Sequence, residues 1–115
     1  MKAIQINCYV EPLSRKYADG LEQVELYVCS EFATSVTKPE EGQRIPITLL
    51  TPQGRYQGGL RDYQGRGWPY LCPDLISESS GRKVSLARIL KDNGISPKDT
   101  ISVRVSDQTW ELWPN

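Results

Sequence analysis

Short runs of alternating apolar residues, separated by turn signals, constrain the fold more than any other feature of this sequence. Residues 2–10 place an apolar side chain at every second position, which is typical of a strand with one buried face. Further short runs cover residues 21–32, 45–50, 55–63, 68–72, 100–105 and 109–113. Most connections are too short for parallel crossovers. The pattern predicts a mainly β fold, a small open β-barrel (pseudobarrel) of about seven short, mostly antiparallel strands.

One short helix interrupts the strands in the last third of the chain. Ser85 is a good N-cap, and the apolar residues that follow it recur at helical spacing. Gly94 is expected just past the last turn in a left-handed conformation, with Ile95 packing back on Leu90. The sequence therefore predicts a single helix over residues 85–93.

Length and composition indicate one domain, residues 1–115. Hydrophobic residues make up 38% and charged residues 24% of the chain, as in ordinary globular domains. No apolar run is long enough to span a membrane, and Met1 leads into a strand pattern rather than a signal peptide. We therefore expect a cytoplasmic protein with no membrane partner. Its odd number of scattered cysteines, Cys8, Cys29 and Cys72, favours reduced thiols over disulfides.

The chemistry that the sequence lacks argues against an enzyme. It contains no histidine, which excludes Ser-His and Cys-His nucleophile pairs and most zinc sites. Phosphate-loop, dinucleotide-binding and calcium-loop motifs are also missing. We expect a non-catalytic protein with no cofactor and no metal.

Residues 53–73 are rich in glycine, arginine and aromatic residues. They hold five of the nine glycines, three arginines and three of the six tyrosines. In a strand, one face of this segment would consist of Arg55, Gln57, Gly59, Arg61 and Tyr63. Arginine and glutamine side chains can read guanine and adenine edges, so this face could contact DNA bases. The alternative interpretation is a solvated, twisted sheet face with a glycine bulge.

Charge is balanced overall and uneven along the chain. With 14 basic and 14 acidic residues the net charge is zero, which argues against nucleic-acid binding by bulk charge. Residues 53–91 carry 7 basic and 3 acidic side chains, a net of +4. The predicted strand over residues 21–32 has an acidic outer face, which we expect to lie away from any nucleic-acid surface.

From about Ile47 onward, the order of features resembles a known architecture. A strand, a Gly/Arg-rich strand, a Trp-containing strand and a short helix precede residues 95–101 (ISPKDTI) and a terminal hairpin. The order resembles the DNA-binding pseudobarrel shared by plant transcription-factor domains and the effector-binding domain of EcoRII-like restriction endonucleases. The resemblance covers roughly residues 45–113. Residues 95–101 are similar to a family turn, apolar-x-x-Gly-Asp-x-apolar, in which Lys98 replaces the glycine.

The resemblance implies a non-catalytic recognition domain for double-stranded DNA that places two arms in the major groove. The first arm would consist of Arg55, Gln57, Arg61 and Tyr63, the second arm of Arg15, Lys16 and Tyr17, and the phosphate contacts of Arg66 and Lys83. A second copy of the chain or a larger parent protein are further partners that such a domain could have.

The alternative is a small β-barrel module, of a mobile or accessory gene product, that binds a protein or a small ligand through exposed aromatics. Its site would draw on Trp68, Tyr70, Trp110 and Trp113. Trp110 is expected in the core, and Trp113, out of phase with it, is expected to be exposed. The salt dependence of binding distinguishes the two hypotheses, because only the affinity for DNA should fall steeply as the salt concentration rises.

Overall fold

The computed structural model describes residues 3–36, 39–40, 42–63 and 67–112. In this part of the chain the elements are β1 (Ile4–Lys16), β2 (Glu22–Val28), a 3-10 helix (Ser30–Ser35), β3 (Ile45–Thr51), β4 (Gly54–Asp62), β5 (Pro69–Leu71), β6 (Asp74–Ser77), β7 (Lys83–Ser85), α1 (Leu86–Asp92), β8 (Thr100–Ser106) and β9 (Thr109–Glu111). The predicted fold class, mainly β with one short α-helix, is confirmed.

Seven of the strands form a closed barrel. Their order is β3-β9-β8-β1-β2-β5-β4, and β4 pairs back with β3 to complete the ring. All of these pairs are antiparallel except β3 and β9, which run parallel. β5 and β6 share the other edge of β4, and β7 extends the sheet from β6. The ring is thus closed where the sequence suggested an open one.

The inner faces of the strands and one side of α1 form a single hydrophobic core. Its members alternate along β1, β2, β3 and β8, as the sequence pattern predicts. The most deeply buried large side chains are Ile6, Val10, Val24, Leu26, Leu49, Leu60, Leu71, Leu75, Leu86, Leu90, Trp110 and Leu112. Burying one such side chain stabilises the fold by roughly 1.5–3 kcal/mol, so this shared core holds the ring together.

The helix and both of its ends match the prediction from the sequence. At the start, the Oγ of Ser85 accepts a hydrogen bond from the backbone N–H of Arg88 at 3.0 Å. At the end, Gly94 has a φ of 73°. The N–H of Ile95 donates to the carbonyl of Leu90 at 2.9 Å, and that of Gly94 to Lys91 at 3.0 Å. These bonds define a Schellman closure, which satisfies carbonyls that the helix leaves open.

The turn over residues 95–101 anchors the helical segment to β1. Lys98 has a φ of 74°, the left-handed conformation that glycine adopts most easily. Its N–H donates to the carbonyl of Val10 at 2.8 Å, and the N–H of Val10 donates to the backbone carbonyl of Asp99 at 2.9 Å. The carboxylate of Asp99 accepts from the N–H of Ser96 at 2.8 Å. The hydrogen bonds give this turn a structural role.

β1 is longer than the sequence pattern indicated. The polar residues 11–20, between the first two predicted strands, indicate a connecting loop, but β1 continues to Lys16 and pairs with β2, Glu11 opposite Glu25 and Lys16 opposite Glu22. A register shift lies between these pairs, and Ser14 within it has a φ of 61°. This irregularity breaks the alternating pattern, so the sequence does not reveal the second half of the strand.

The strand predictions need correction in two other regions. β2 ends at Val28, and Phe32 lies in the 3-10 helix, where it packs against the core instead of continuing the strand. β6 and β7 were not predicted, because strands of three or four residues carry too few positions to show a period. The sequence SESSGR over residues 77–82 is typical of a surface turn, and the structure has a turn over residues 78–80 between these strands.

Candidate binding surface

The predicted first arm lies on the outer face of β4, as its alternation required. Gly58 and Leu60 face the core: Leu60 is buried, and a Cβ atom added at Gly58 would lie 2.9 Å from Cδ2 of Leu75. Arg55, Gln57 and Arg61 therefore point outward, and Tyr63 follows β4 as an exposed residue. The register with β3 is regular from Gly54 to Leu60, so no glycine bulge forms in this pairing.

Two members of this arm contact the same carboxylate. The Nε of Arg55 lies 3.2 Å from Oε1 of Glu78. The amide of Gln57 donates to Glu78 and also to Oγ1 of Thr48, the latter at 3.1 Å. The Nε of Arg55 and the amide of Gln57 are thus engaged within the protein. For Gln57 to read a base edge, its amide would have to leave these partners.

The second arm and Lys83 come together in part, again around a carboxylate. Arg15 and Lys16 end β1, and the hydroxyl of Tyr17 donates to Oδ1 of Asp74 at 3.1 Å. The Nζ of Lys83 lies 3.4 Å from Oδ2 of the same side chain. Burial and the neighbouring carboxylate raise the pKa of Tyr17 to about 12. Tyr17 and Lys83 therefore help to position Asp74.

A cluster of stacked rings covers the outside of three adjacent strands. Tyr27 on β2 lies opposite Tyr70 on β5, with ring centroids 4.9 Å apart and an interplanar angle of 25°. Tyr63 stacks on Trp68 at 5.7 Å and meets the edge of Tyr27 at 6.5 Å. Trp68 is 49% exposed and Tyr63 38% exposed. We call these four residues, Tyr27, Tyr63, Trp68 and Tyr70, the aromatic surface.

Asp62, the last residue of β4, holds the exposed part of the aromatic surface in place. Its carboxylate accepts hydrogen bonds from the N–H of Trp68 at 2.7 Å and from that of Gly67 at 3.1 Å. The N–H of Tyr63 donates to the carbonyl of Trp68 at 3.1 Å. These hydrogen bonds fix the backbone that carries both rings.

Two glutamates face the aromatic surface across a groove. Glu11 on β1 and Glu25 on β2 are directly opposite in the register. With Leu13, they form one wall of a groove of about 420 Å³ whose other residues are Tyr27, Tyr63 and Trp68. Burial raises the pKa of Glu25. A hydrogen bond from Tyr27 opposes this rise, and the negative charge of Glu11 adds to it. The groove thus contains carboxylates that the fold partly removes from water.

Glu25→Gln is expected to stabilise the protein near neutral pH. The pKa of Glu25 is raised by folding, so the unfolded chain ionises first as the pH increases. Stability therefore falls as the pH rises from the ordinary pKa of a glutamate to the raised folded value, and the penalty persists above it. Urea unfolding of Glu25→Gln should show a higher midpoint than the original protein at pH 7 and an equal one at about pH 3.

The control for this measurement is Glu31→Gln, which removes an exposed carboxylate outside the groove. Its urea midpoint should change little at either pH. A Glu25→Gln variant less stable than the original protein at pH 7 would contradict the burial of this carboxyl.

Arginines flank the other side of the aromatic surface. Arg61 lies opposite Tyr70 in the register of β4 and β5. The side chain of Arg44 lies flat on Gly59, where an added Cβ would overlap its guanidinium, and it hydrogen-bonds the thiol of Cys72. The outer face therefore carries glutamates on the β1 and β2 side and arginines on the β3 and β4 side.

The three cysteines are free, and only Cys8 is fully buried. Burial raises the pKa of the Cys72 thiol, while Arg44 opposes the change. Among the described residues no group of three or more His, Cys, Asp or Glu side chains is placed to hold a metal ion. In the same residues no helix has the length and apolar character needed to cross a membrane.

The aromatic residues named from the sequence divide between core and surface. Trp110 is 1% exposed, which confirms its prediction as a core residue. Trp68 and Tyr70 belong to the aromatic surface. Trp113, expected to be exposed, and Arg66, expected to contact phosphate, lie outside the described residues.

The sequence did not reveal that Tyr27, Glu11 and Glu25 belong to this site. The acidic outer face of β2 lies close to the arginine-bearing strand β4, because only β5 separates the two strands in the ring. The outward positions of Glu25 and Tyr27 were readable from the alternation. Their neighbours were not, since these depend on the order of the strands in the ring.

Comparisons with protein-family models, curated proteins and solved structures gave no match for this chain. Its function is therefore inferred from the geometry described above.

Proposed function

We propose that the protein is a non-catalytic interaction module that binds a partner protein through the aromatic surface. The observation that carries this proposal is the exposed stack of Trp68 on Tyr63. Tryptophan and tyrosine are among the residues that most often dominate the energy of protein interfaces. Water-exposed rings of this size contribute little to the stability of the barrel, whereas burying them against a partner is favourable.

The rigidity of the aromatic surface also supports binding. Tyr27 and Tyr70 sit on paired strands, and Asp62 fixes the backbone that carries Trp68. Side chains that are already ordered lose little conformational entropy when a partner binds. The surface is therefore prepared for binding without rearrangement of the fold.

Recognition of double-stranded DNA is the second candidate function. It is supported by the position of Arg44 and Arg61 on the outer face beside the aromatic surface. Glu11 and Glu25 on the same face oppose a phosphate backbone, and Glu78 engages Arg55. These carboxylates make a protein the better-supported partner, and the DNA-binding arms and the pseudobarrel resemblance stay predictions.

Selection from a random peptide library on the immobilised protein tests the proposed function. Selected peptides should lose about 30-fold in affinity for Trp68→Ala, the loss typical of an interface hot spot. The matched control is Ile76→Ala, which removes another exposed apolar side chain from β6 and should leave binding unchanged. Peptides that bind Trp68→Ala and the original protein equally would contradict the proposal.

A parallel titration with a mixed-sequence DNA duplex decides between the two candidates. Binding to DNA should be strong at low salt, fall steeply as salt rises, and weaken in Arg61→Ala. Peptide binding at the aromatic surface should change little over the same salt range. Tight duplex binding together with a failed peptide selection would make DNA recognition the function.

A further inference from the structure

The groove between the two glutamates and the aromatic rings has two chemically different walls. One wall presents the carboxylates of Glu11 and Glu25, and the other presents the rings of Tyr63 and Trp68. Carboxylates on strand neighbours repel each other, so this pair costs stability unless a positive charge lies nearby. Glu25 has no basic partner among the described residues within salt-bridge distance.

We propose that this groove receives a lysine side chain of the partner protein. The inference rests on the proposed function and names the chemistry of its contact. An ammonium group placed between the walls would donate hydrogen bonds to both carboxylates on one side. Its methylene chain and its charge would lie against the exposed side of the Tyr63–Trp68 stack on the other.

Charge complementarity selects a cation over other occupants. An anionic group would add to the repulsion between Glu11 and Glu25. A neutral group would remove water from both carboxylates without supplying a countercharge. Arg44 and Arg61 are not among the residues that line the groove. Arg61 lies across Tyr70 on β4, and Arg44 is engaged by the thiol of Cys72, where its charge and that of Glu25 both act.

The shape of the acidic wall favours lysine over arginine. Glu11 and Glu25 project from different strands, so their carboxylates approach the groove from two positions. An ammonium has three donors that fan out and can serve two separate acceptors. A guanidinium is a planar fork that matches a single carboxylate best.

Titration of the isotopically labelled full chain with small probes, followed by NMR, tests this inference. The probe is Nα-acetyl-lysine methylamide, and the matched neutral probe is Nα-acetyl-norleucine methylamide, which keeps the carbon chain without the charge. We expect the indole N–H signal of Trp68 to shift with the lysine probe, with a dissociation constant on the order of 1 mM. Norleucine should bind at least about tenfold more weakly, and the arginine analogue more weakly than lysine.

Variants assign the contact to the carboxylates. Glu11→Gln/Glu25→Gln should lose the preference for lysine over norleucine and keep the signals of a folded protein. Glu78→Gln removes a carboxylate that contacts Arg55 at the other end of β4, and it should leave the preference unchanged. Equal binding of lysine and norleucine, tighter binding of the arginine analogue, or a preference that survives in Glu11→Gln/Glu25→Gln would overturn the inference.

The outcomes separate this inference from the proposed function. Peptides that depend on Trp68 but carry no lysine in the groove would leave the interaction module standing and refute the lysine contact. Lysine binding that depends on Glu11 and Glu25, with no Trp68-dependent peptide, would confirm the groove as a cation site and refute the larger protein interface.

Discussion

Trp110→Ala is expected to lower the free energy of unfolding by about 3–5 kcal/mol, the usual cost of removing a buried aromatic ring. The side chain is 1% exposed and is one of the largest in the core. It also lies at the closure of the barrel, because Trp110 pairs with Leu49 of β3 on one side and Val105 of β8 on the other. Small domains have total stabilities of about 5–15 kcal/mol, so this loss would leave a large unfolded fraction on mild heating.

Urea unfolding followed by circular dichroism measures this effect without relying on tryptophan fluorescence. The matched control is Trp68→Ala, which removes the same atoms from a residue that is 49% exposed. It should cost less than about 1 kcal/mol, since surface substitutions seldom cost more. Equal losses in the two variants would contradict the assignment of Trp110 to the core and of Trp68 to the surface.

Features that depend on neighbouring residues could be predicted from the sequence. The helix and its closure at Gly94 follow from a capping serine, a helical apolar period and one glycine within ten residues. The inward positions along β1 and β8, such as Ile6 and Val103, follow from strict alternation. These signals are local, so the fold class and most strands were accessible without a structure.

Features that depend on pairing between distant segments could not be predicted. The parallel contact of β3 with β9 closes the ring, but nothing in residues 45–51 indicates which strand lies beside it. The insertion of β5 between β2 and β4 likewise brings Tyr27 next to Tyr70. The alternating sequence pattern indicates whether a side chain faces the core or solvent. The order of the strands in the sheet determines which side chains become its neighbours.

The same limit applies to the first DNA-binding arm. Its co-facial arrangement of Arg55 and Gln57 was read correctly from the alternation of β4. Their shared contact with Glu78 depends on residues more than twenty positions further along the chain. Outward arginines indicate a binding face only when the carboxylates opposite them are also known.

The paired glycines of β4 have structural reasons that the sequence did not show. Gly58 faces the core, where an added Cβ would lie 2.9 Å from Cδ2 of Leu75 and 3.2 Å from Cδ1 of Leu71. Gly59 faces outward and lies beneath the side chain of Arg44. Gly58 therefore leaves space for Leu71 and Leu75 on the inner face of β4, and Gly59 leaves space for Arg44 on the outer face.

Gly58→Val is expected to destabilise the protein by about 1–3 kcal/mol, because overpacking forces buried side chains out of their preferred rotamers. Leu71 and Leu75 are both fully buried and cannot move into solvent. The matched control is Gly59→Val, which adds the same atoms to the outer face and displaces mainly the flexible end of Arg44. Both glycines have extended backbone suited to valine, so urea midpoints compare only the packing on each face. A larger loss for Gly59→Val than for Gly58→Val would mean that the register of β4 is shifted by one residue, which would also move Arg55 and Arg61 to the inner face.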